Sequence, residues 1–350
     1  MGKKVGRAVA ALLLATVIFS VVSGSVILCT PYTPAAVEEA LRLGQSSTAA
    51  LPRNRLRLMS FNTGHGALGA EADEREAGGR GGRASTDTVI ANTAGIYGLI
   101  SKASADVLLL QDVDVSAHRT HFVDQSAYYG ELPGYAGALA LDYNCRSTCF
   151  FPPYARLRSG LLTLAHCAPQ TAQRYALPSS YGRTEAALNA RRCVLACRYA
   201  VENSEKKLTV IQFAADNYAE PKTVQKQLAA ALKVAEKAYE DGDWVIFSGS
   251  FCRYFGNTEQ QYPLSSQNIW NPTRLTADEL PTGWKLVYDT AVASARLADR
   301  PYAGNHESAE RYVGDGFVLS PNVDAAFCVT VDQEFRFSTH NPVLLEVSLN

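Results

Sequence analysis

The chain has 350 residues, of which 47% are hydrophobic, 9% aromatic and 19% charged. This composition is that of a foldable chain and excludes a disordered protein, a collagen and a disulfide-stapled miniprotein. The 33 basic residues include three before residue 30, where no acidic residue occurs, so the rest of the chain has 30 basic and 34 acidic residues and a net charge of −4. Nonspecific nucleic-acid binding requires a basic excess, and a nucleic-acid partner is therefore not expected.

The amino-terminal segment contains 22 uncharged residues, 8–29, directly after Lys3, Lys4 and Arg7. A helix of about 20 apolar residues spans a bilayer, so residues 8–30 are predicted to be a transmembrane signal anchor. Two alternatives remain open, a cleaved signal peptide and a lipidated Cys29. Positive charge before the span places residues 1–7 in the cytoplasm and the main domain outside, in the periplasm or on the cell surface if the host is a bacterium.

Residues 31–54 are rich in Pro, Ala and Ser and contain a short helical pattern, VEEALRL. This composition predicts a stalk or linker between the membrane and a folded domain. No linker composition interrupts residues 55–350, which are therefore predicted to form one domain.

Strands and helices alternate in that domain, which favours a layered α/β fold. Glycine-rich residues 69–83 are predicted to be a mobile surface excursion, since they lack the lysine and the helix start of a phosphate-binding loop. Helices are predicted from Thr86 or Asp87 to Lys102 and from Pro221 to about residue 240. Strands are predicted at 56–62, 105–111, 207–213, 244–250, 315–320 and 341–349.

Polar residues follow or open several of these strands in a recurring order. They are Asn62 in MSFNTG, Gln111 and Asp112 in LLLQD, Ser250 and Cys252 in SGSFC, Asp315 in GDGFVLS and His340 in STHNPV. This series resembles the endonuclease/exonuclease/phosphatase superfamily of metal-dependent phosphohydrolases from about Leu56 to Leu349. The segments SGLLTL, RRCV, DGFVLSPNV and HNPV are similar to a membrane-anchored bacterial branch of it. The resemblance implies a four-layer α/β/β/α sandwich of two packed sheets with one site at the carboxyl ends of the central strands.

The resemblance also implies which residues form the site. Asn62 and Asp112 match its metal-site positions, although Asp112 is one methylene shorter than the usual glutamate, and the metal would be Mg²⁺ or a similar divalent cation. His340 and Asp315 match a retained catalytic pair. Gln212 and Ala214 replace an asparagine and a histidine of the family pattern.

Three positions of the family's catalytic motifs are also substituted. Ser250 and Cys252 replace the aspartate and asparagine of a GDFN motif, and Thr339 replaces the aspartate of an SDH motif. The first aspartate is the residue that activates the attacking water, and a serine does not accept that proton without a neighbouring base.

Other polar residues leave alternatives open. Cys145 and Cys149 form a disulfide or stay as free thiols. Cys252, His340 and Asp112 have the ligand types of a soft-metal site such as zinc. His118 and His121 lack a third ligand and are expected to be surface residues.

Two functions follow as hypotheses. The first is a catalytically impaired, membrane-anchored extracytoplasmic protein that acts as a binding or scaffolding module and needs no metal. The second is an active metal-dependent phosphodiesterase or phosphatase with a rearranged metal shell. A phosphoester small molecule or a lipid headgroup is the expected ligand in either case. The binding module alternatively recognises a protein, whose identity is unknown.

Overall fold

The computed structural model contains two large sheets packed face to face. It describes residues 2–29, 32–75, 77–145, 156–179, 190–216, 220–265, 268, 270–305 and 309–350. Cys149 lies outside these residues, and Cys145 is buried.

Each large sheet has seven strands, numbered here in chain order and given in spatial order. Sheet I contains β1 (Val37–Glu39), β7 (Thr171–Ala176), β8 (Cys193–Val201), β9 (Ser204–Ala214), β10 (Trp244–Ser250), β16 (Asp315–Leu319) and β13 (Lys285–Val287). Sheet II contains β17 (Val323–Thr330), β18 (Val343–Leu349), β3 (Leu56–Asn62), β4 (Val107–Ala117), β6 (Leu157–Ala165), β5 (Ala136–Cys145) and β2 (Leu41–Gly44). Two short ribbons pair β11 (Tyr254–Phe255) with β12 (Arg274–Leu275) and β14 (Ala295–Arg296) with β15 (Arg311–Tyr312).

The main core lies between the two sheets. Side chains alternate across a strand, so Leu56 and Leu58 of β3 enter this core while Met59 and Phe61 face the other side of sheet II. Both faces of the central strands are therefore covered, which is why their sequences are almost continuously apolar.

Helices form the two outer layers. The α-helices of the described residues are α1 (Gly2–Cys29), α2 (Thr86–Lys102), α3 (Gln125–Gly130) and α4 (Pro221–Glu240), and short 3₁₀ turns occur at Gly64–Gly66, His118–Thr120, Thr258–Gln260 and Ala277–Glu279. Helix α2 packs on sheet II and α4 packs on sheet I, which completes the four-layer α/β/β/α sandwich.

The helix predictions are confirmed, with one correction at a terminus. Helix α2 is capped by Ser85, whose side chain accepts a hydrogen bond from the backbone N–H of Thr88, rather than by Thr86 or Asp87. Ser85 has an extended backbone, which is the conformation that a capping residue requires.

The prediction of a helical patch in a free stalk is wrong for residues 37–44. Strand β1 pairs with β7 at the edge of sheet I, and β2 pairs with β5 at the edge of sheet II. The exposed edge strands of both sheets supply unpaired backbone groups that this segment satisfies. Ala40 and Leu51 are also buried, at 7% and 0% exposure, so the folded domain begins before residue 55.

The polar strand ends meet at one edge of the sandwich, called here the site end. Strands β3 and β4 are parallel, as are β9 and β10, so Asn62 and Ser250 both lie at carboxyl ends. Below them, Gln111 of sheet II donates to Gln212 of sheet I over 2.9 Å, and Gln212 donates to Thr163 over 2.7 Å. These buried amides join the sheets beneath the site.

Helix α1 is long and apolar enough to cross a membrane, with the strongest window at Lys4–Val22 and none of that window buried against the rest of the chain. By length and composition alone, this agrees with the predicted span.

We predict that Leu51→Ala destabilises the domain by about 2–5 kcal/mol, because it removes a fully buried side chain. Urea unfolding of residues 31–350 measures the change. Leu41→Ala is the matched control, since Leu41 is 53% exposed in the same segment. Equal effects of the two substitutions would contradict the packing of this segment onto the domain.

Candidate active site

Four of the predicted site residues line one cavity of about 30 Å³ at the site end, Asn62, Asp112, Thr339 and His340. This volume admits little more than a water molecule or two. The other walls come from segments that the sequence did not single out, including Glu74, Trp270 and Arg296.

Asp112 is directed into the cavity by an irregularity in β4. The pairing of β4 with β6 shifts between Leu110 and Val113, and Asp112 has φ 54°, in the left-handed region. Bulges of this kind re-aim a side chain next to a site. Asn62 donates from Nδ2 to Asp112 Oδ2 over 2.8 Å, and its own Oδ1 accepts from the Gly64 backbone N–H over 2.9 Å.

His340 and Asp315 form the pair that the sequence predicted. His340 Nδ1 lies 2.8 Å from Asp315 Oδ2, and both residues are buried. Burial lowers the pKa of His340, but the adjacent Asp315 carboxylate outweighs burial and raises the pKa above its ordinary value. The imidazole is thus oriented with Nε2 left for another partner, as a general acid requires.

Ser250 and Cys252 do not line the cavity with the other four residues. Ser250 is paired in register with Asp315, and its buried Oγ has no oxygen or nitrogen hydrogen-bond partner among the described residues. Burial raises the pKa of the Cys252 thiol to about 12. Neither group accepts a proton from water at neutral pH.

The residue before Ser250 must be a glycine, because neither the space nor the backbone conformation there suits a side chain. A Cβ at Gly249 would lie 1.9 Å from the carbonyl oxygen of Phe213, so the neighbouring strand excludes any side chain there. Gly249 also has φ 143°, in a region that other residues rarely adopt.

An arginine cluster adjoins the cavity. Arg192 Nη1 lies 2.6 Å from Asp142 Oδ2 and 3.6 Å from Asp112 Oδ1, while Arg192 Nε lies 2.9 Å from Asp216 Oδ1. Asp112 and Asp142 belong to sheet II, whereas Arg192 and Asp216 lie next to strands of sheet I. One guanidinium therefore joins three carboxylates across the two sheets; we call these four residues the Arg192 cluster.

The pKa values of Asp112 and Asp142 depend on their burial and on their contacts with Arg192. Burial raises the pKa of Asp112, but His65, Arg192 and Asn62 outweigh burial and the net shift is downward. Burial dominates at Asp142 and, with the nearby Asp112 carboxylate, raises its pKa in spite of Arg192. The pKa of Arg192 is raised well above its ordinary value because the three carboxylates outweigh burial.

The residues present do not fit the divalent cation that the resemblance implies. A Mg²⁺ ion requires several oxygen ligands around an open position, but Arg192 is the cation beside Asp112, and the oxygen of Asn62 is bonded to Gly64. Within the described residues, no group of three or more His, Cys, Asp or Glu side chains is arranged to hold a metal ion. The soft-metal alternative of Cys252, His340 and Asp112 is likewise unsupported there.

Asp114 is a further buried carboxylate of β4, to which the sequence analysis assigned no role. Arg119 donates to it from Nη2 over 2.7 Å and from Nε over 3.1 Å. Burial opposes ionisation, but Arg119 and His65 outweigh burial and lower the pKa of Asp114 strongly. His118 is half-buried, and His121 lies 2.8 Å from the carbonyl oxygen of Ala84, so neither joins the site.

Residues 69–83 are not a surface excursion along their whole length. Ala72 is buried, the N–H of Glu74 donates to Ala298, and Glu74 lines the cavity. The sequence signal for this contact is weak, because the segment is rich in glycine and charge. Arg192 belongs to the RRCV motif that the sequence analysis recognised, but its three aspartate partners lie in unrelated stretches of the sequence.

The chain has the fold of the endonuclease/exonuclease/phosphatase proteins. It is similar to the Beutenbergia cavernae protein of that description, with a TM-score of 0.59, 14% identity and coverage of 85% of this chain and 72% of that one. Danio rerio TDP2, solved with a single-strand DNA product, has a TM-score of 0.54, 13% identity and coverage of 84% and 99%. The Bacteroides vulgatus protein has a TM-score of 0.52, 15% identity and coverage of 85% and 100%. No protein-family model and no curated protein matches the sequence.

We predict that Arg192→Ala destabilises the domain by about 3–5 kcal/mol, because it leaves three buried carboxylates without their shared cation. The unpaired carboxylates should then titrate above their unfolded pKa values, so the variant should regain stability as the pH falls. Urea unfolding of residues 31–350 from neutral to mildly acidic pH measures both effects.

Lys237→Ala is the control, since Lys237 pairs with one aspartate, Asp241, and both side chains are exposed, at 66% and 55%. It should change the stability little, because exposed ion pairs contribute little. An Arg192→Ala variant as stable as the control would contradict the cluster.

The His340–Asp315 pair predicts a pH-dependent effect of Asp315→Asn. Because the folded pKa of His340 is raised, the stabilisation is fully present below the unfolded histidine pKa and is lost as the pH rises through the folded value. Asp315→Asn should therefore cost about 1.5–3 kcal/mol in mild acid and less in mild base. A cost that does not change with pH in urea unfolding would refute the charged pair.

Proposed function

We propose that this protein is a membrane-tethered member of the endonuclease/exonuclease/phosphatase fold that has lost hydrolytic activity and serves as an extracytoplasmic binding or scaffolding module. One observation carries the proposal: the guanidinium of Arg192, a permanent cation, lies 3.6 Å from Oδ1 of Asp112. The family resemblance assigns Asp112 to the metal.

The lost proton acceptor supports the same conclusion. A positioned general base contributes about 10²–10⁴-fold to a rate. Ser250 stands at the position of that base, and its hydroxyl and the Cys252 thiol are both protonated at neutral pH. The loss of a base together with a metal ligand leaves little hydrolysis, even though such effects are not additive.

The second candidate is an active metal-dependent phosphodiesterase or phosphatase. The 2.8 Å contact of His340 with Asp315 favours it, because an oriented and protonated imidazole is a general acid for a leaving oxygen. In that case Asp112 would hold the divalent cation and Asn62 would contact the cation or the substrate phosphate, after Arg192 moved away.

The proposed location rests on helix α1 and the basic residues before it. Positive charge before a span favours a cytoplasmic amino end, and this supports a location of the sandwich outside the cytoplasm. The net charge of −4 beyond residue 30 favours a phosphorylated headgroup or another small phosphoester over nucleic acid. The DNA bound in the TDP2 structure is a property of that protein.

Turnover of phosphodiester and phosphomonoester substrates by the full chain tests the proposal, with Mg²⁺, Mn²⁺, Ca²⁺ or Zn²⁺ present. We expect no rate above that of His340→Ala, a variant without the retained imidazole. A metal-dependent rate that disappears in His340→Ala would establish the second candidate.

A reversion variant tests whether the substituted positions account for the loss. Ser250→Asp, Cys252→Asn and Thr339→Asp, combined, should raise turnover above wild type by about 10²-fold, the contribution of one general base. His340→Ala in the same background is the control. A folded but inert reversion variant would place the defect elsewhere.

A further inference from the structure

A groove of about 280 Å³ opens at the site end beside the first residues after helix α1. Thr33 and Pro34 form one wall, and the other contains Arg174 of β7 together with Arg191 and Arg192, which precede β8. The remaining lining residues are uncharged. We call this feature the arginine groove.

The charge in the arginine groove is incompletely balanced. Three arginines and no acidic side chain line it within the described residues. Arg192 is matched by the carboxylates of its cluster, and Arg174 has a carboxylate of Glu38 at 3.7 Å. Arg191 forms no ion pair with any described residue.

Unpartnered donors point to the type of ligand. Arg174 is 1% exposed and donates to the carbonyl oxygens of Leu141 and Arg191, yet its buried Nη1 has no partner in the described chain. The buried Nε of Arg191 has none either. Buried donors are normally satisfied, and the three arginines that line the groove carry the charge and the type of donor that match the oxygens of a phosphate.

The position of the groove identifies the source of that phosphate. Tyr32 is held at the site end because its hydroxyl donates to the Leu141 carbonyl oxygen over 3.2 Å. Thr33 lies four residues beyond Cys29, the last residue of α1. An extended chain spans about 3.3–3.6 Å per residue, so the groove wall lies within about 14 Å of the end of the helix.

We propose that the arginine groove binds the anionic phosphate headgroup of a lipid in the membrane that α1 spans. The inference rests on the membrane tether of the proposed function and names its ligand. The headgroup would accept hydrogen bonds from Arg174 and Arg191, and the site end would face the bilayer.

Lipid binding to the full chain in dodecyl maltoside tests this proposal by native mass spectrometry. The probes are dioctanoyl phosphatidic acid, dioctanoyl phosphatidylcholine and inorganic phosphate. We expect phosphatidic acid to bind more tightly than the other two, and Arg191→Ala to weaken it about tenfold, the effect of one charge-assisted hydrogen bond.

Arg198→Ala is the control, since Arg198 lies on β8 but pairs with Asp243. It should leave phosphatidic acid binding unchanged. Arg191→Gln provides a second variant that keeps most of the side-chain volume, and melting temperatures verify that each variant is folded.

Three results would overturn the proposal. Unchanged binding of phosphatidic acid to folded Arg191→Ala and Arg191→Gln would show that the groove is not the binding site. Equally tight binding of phosphatidylcholine would show that an anionic headgroup is not required. Equally tight binding of inorganic phosphate would show that the ligand need not be a lipid. None of these results depends on turnover, so failure here is distinguishable from failure of the catalytic proposal.

Discussion

The site depends on one buried cation that three carboxylates share. Arg192 connects Asp112 and Asp142 of sheet II with Asp216 beside sheet I. Removing charges from water is costly, so such a cluster is stable only when every member keeps a partner. Asp112 of β4 and Asp216 after β9 lie at this edge of the sandwich, and the antiparallel strands β5 and β8 bring Asp142 and Arg192 to it. The amide contact of Gln111 with Gln212 fixes the sheets below them.

The position of Arg192 divides the site into two parts, the His340–Asp315 pair and the surroundings of Asp112, which the resemblance treats as one site. The His340–Asp315 pair keeps the geometry of an acid, and it depends only on β16 and the approach to β18. The metal part depends on Asp112, whose neighbours are Asn62 and Arg192. The acid could be retained for structure alone, because a buried, paired imidazole stabilises the fold without any substrate.

The charge distribution also relates the site to helix α1. The carboxylates of the Arg192 cluster balance the charge of Arg192, whereas Arg191 beside it forms no ion pair with a carboxylate of the described residues. The chain from α1 enters the domain at this same end through Tyr32. Under the proposed function, phosphate recognition would not require hydrolysis, since binding needs only donors and charge.

Much of the fold could be predicted from the sequence because its strong signals are local. The apolar run at 244–250 and the helical stripe after Pro221 correspond to β10 and α4. Residues 37–44 were misread as a helical patch in a linker, because a short edge strand is determined by the sheet that it joins rather than by its own pattern.

The candidate site was only partly predictable for a related reason. Asn62, Asp112 and His340 stand at strand ends within recognisable motifs, and the structure places all three in one cavity. The partners of Arg192 come from separate stretches, so no spacing rule unites them. An ion pair between distant residues is a tertiary property.

Direct measurement of Mn²⁺ binding to the full chain tests the central claim that Arg192, rather than a metal ion, is the cation at Asp112. The electron paramagnetic resonance signal of free Mn²⁺ reports how much metal each chain binds. The account predicts no stoichiometric binding to the wild-type chain, even at millimolar metal. One Mn²⁺ per chain that Mg²⁺ displaces, and that Asp112→Asn abolishes, would contradict it.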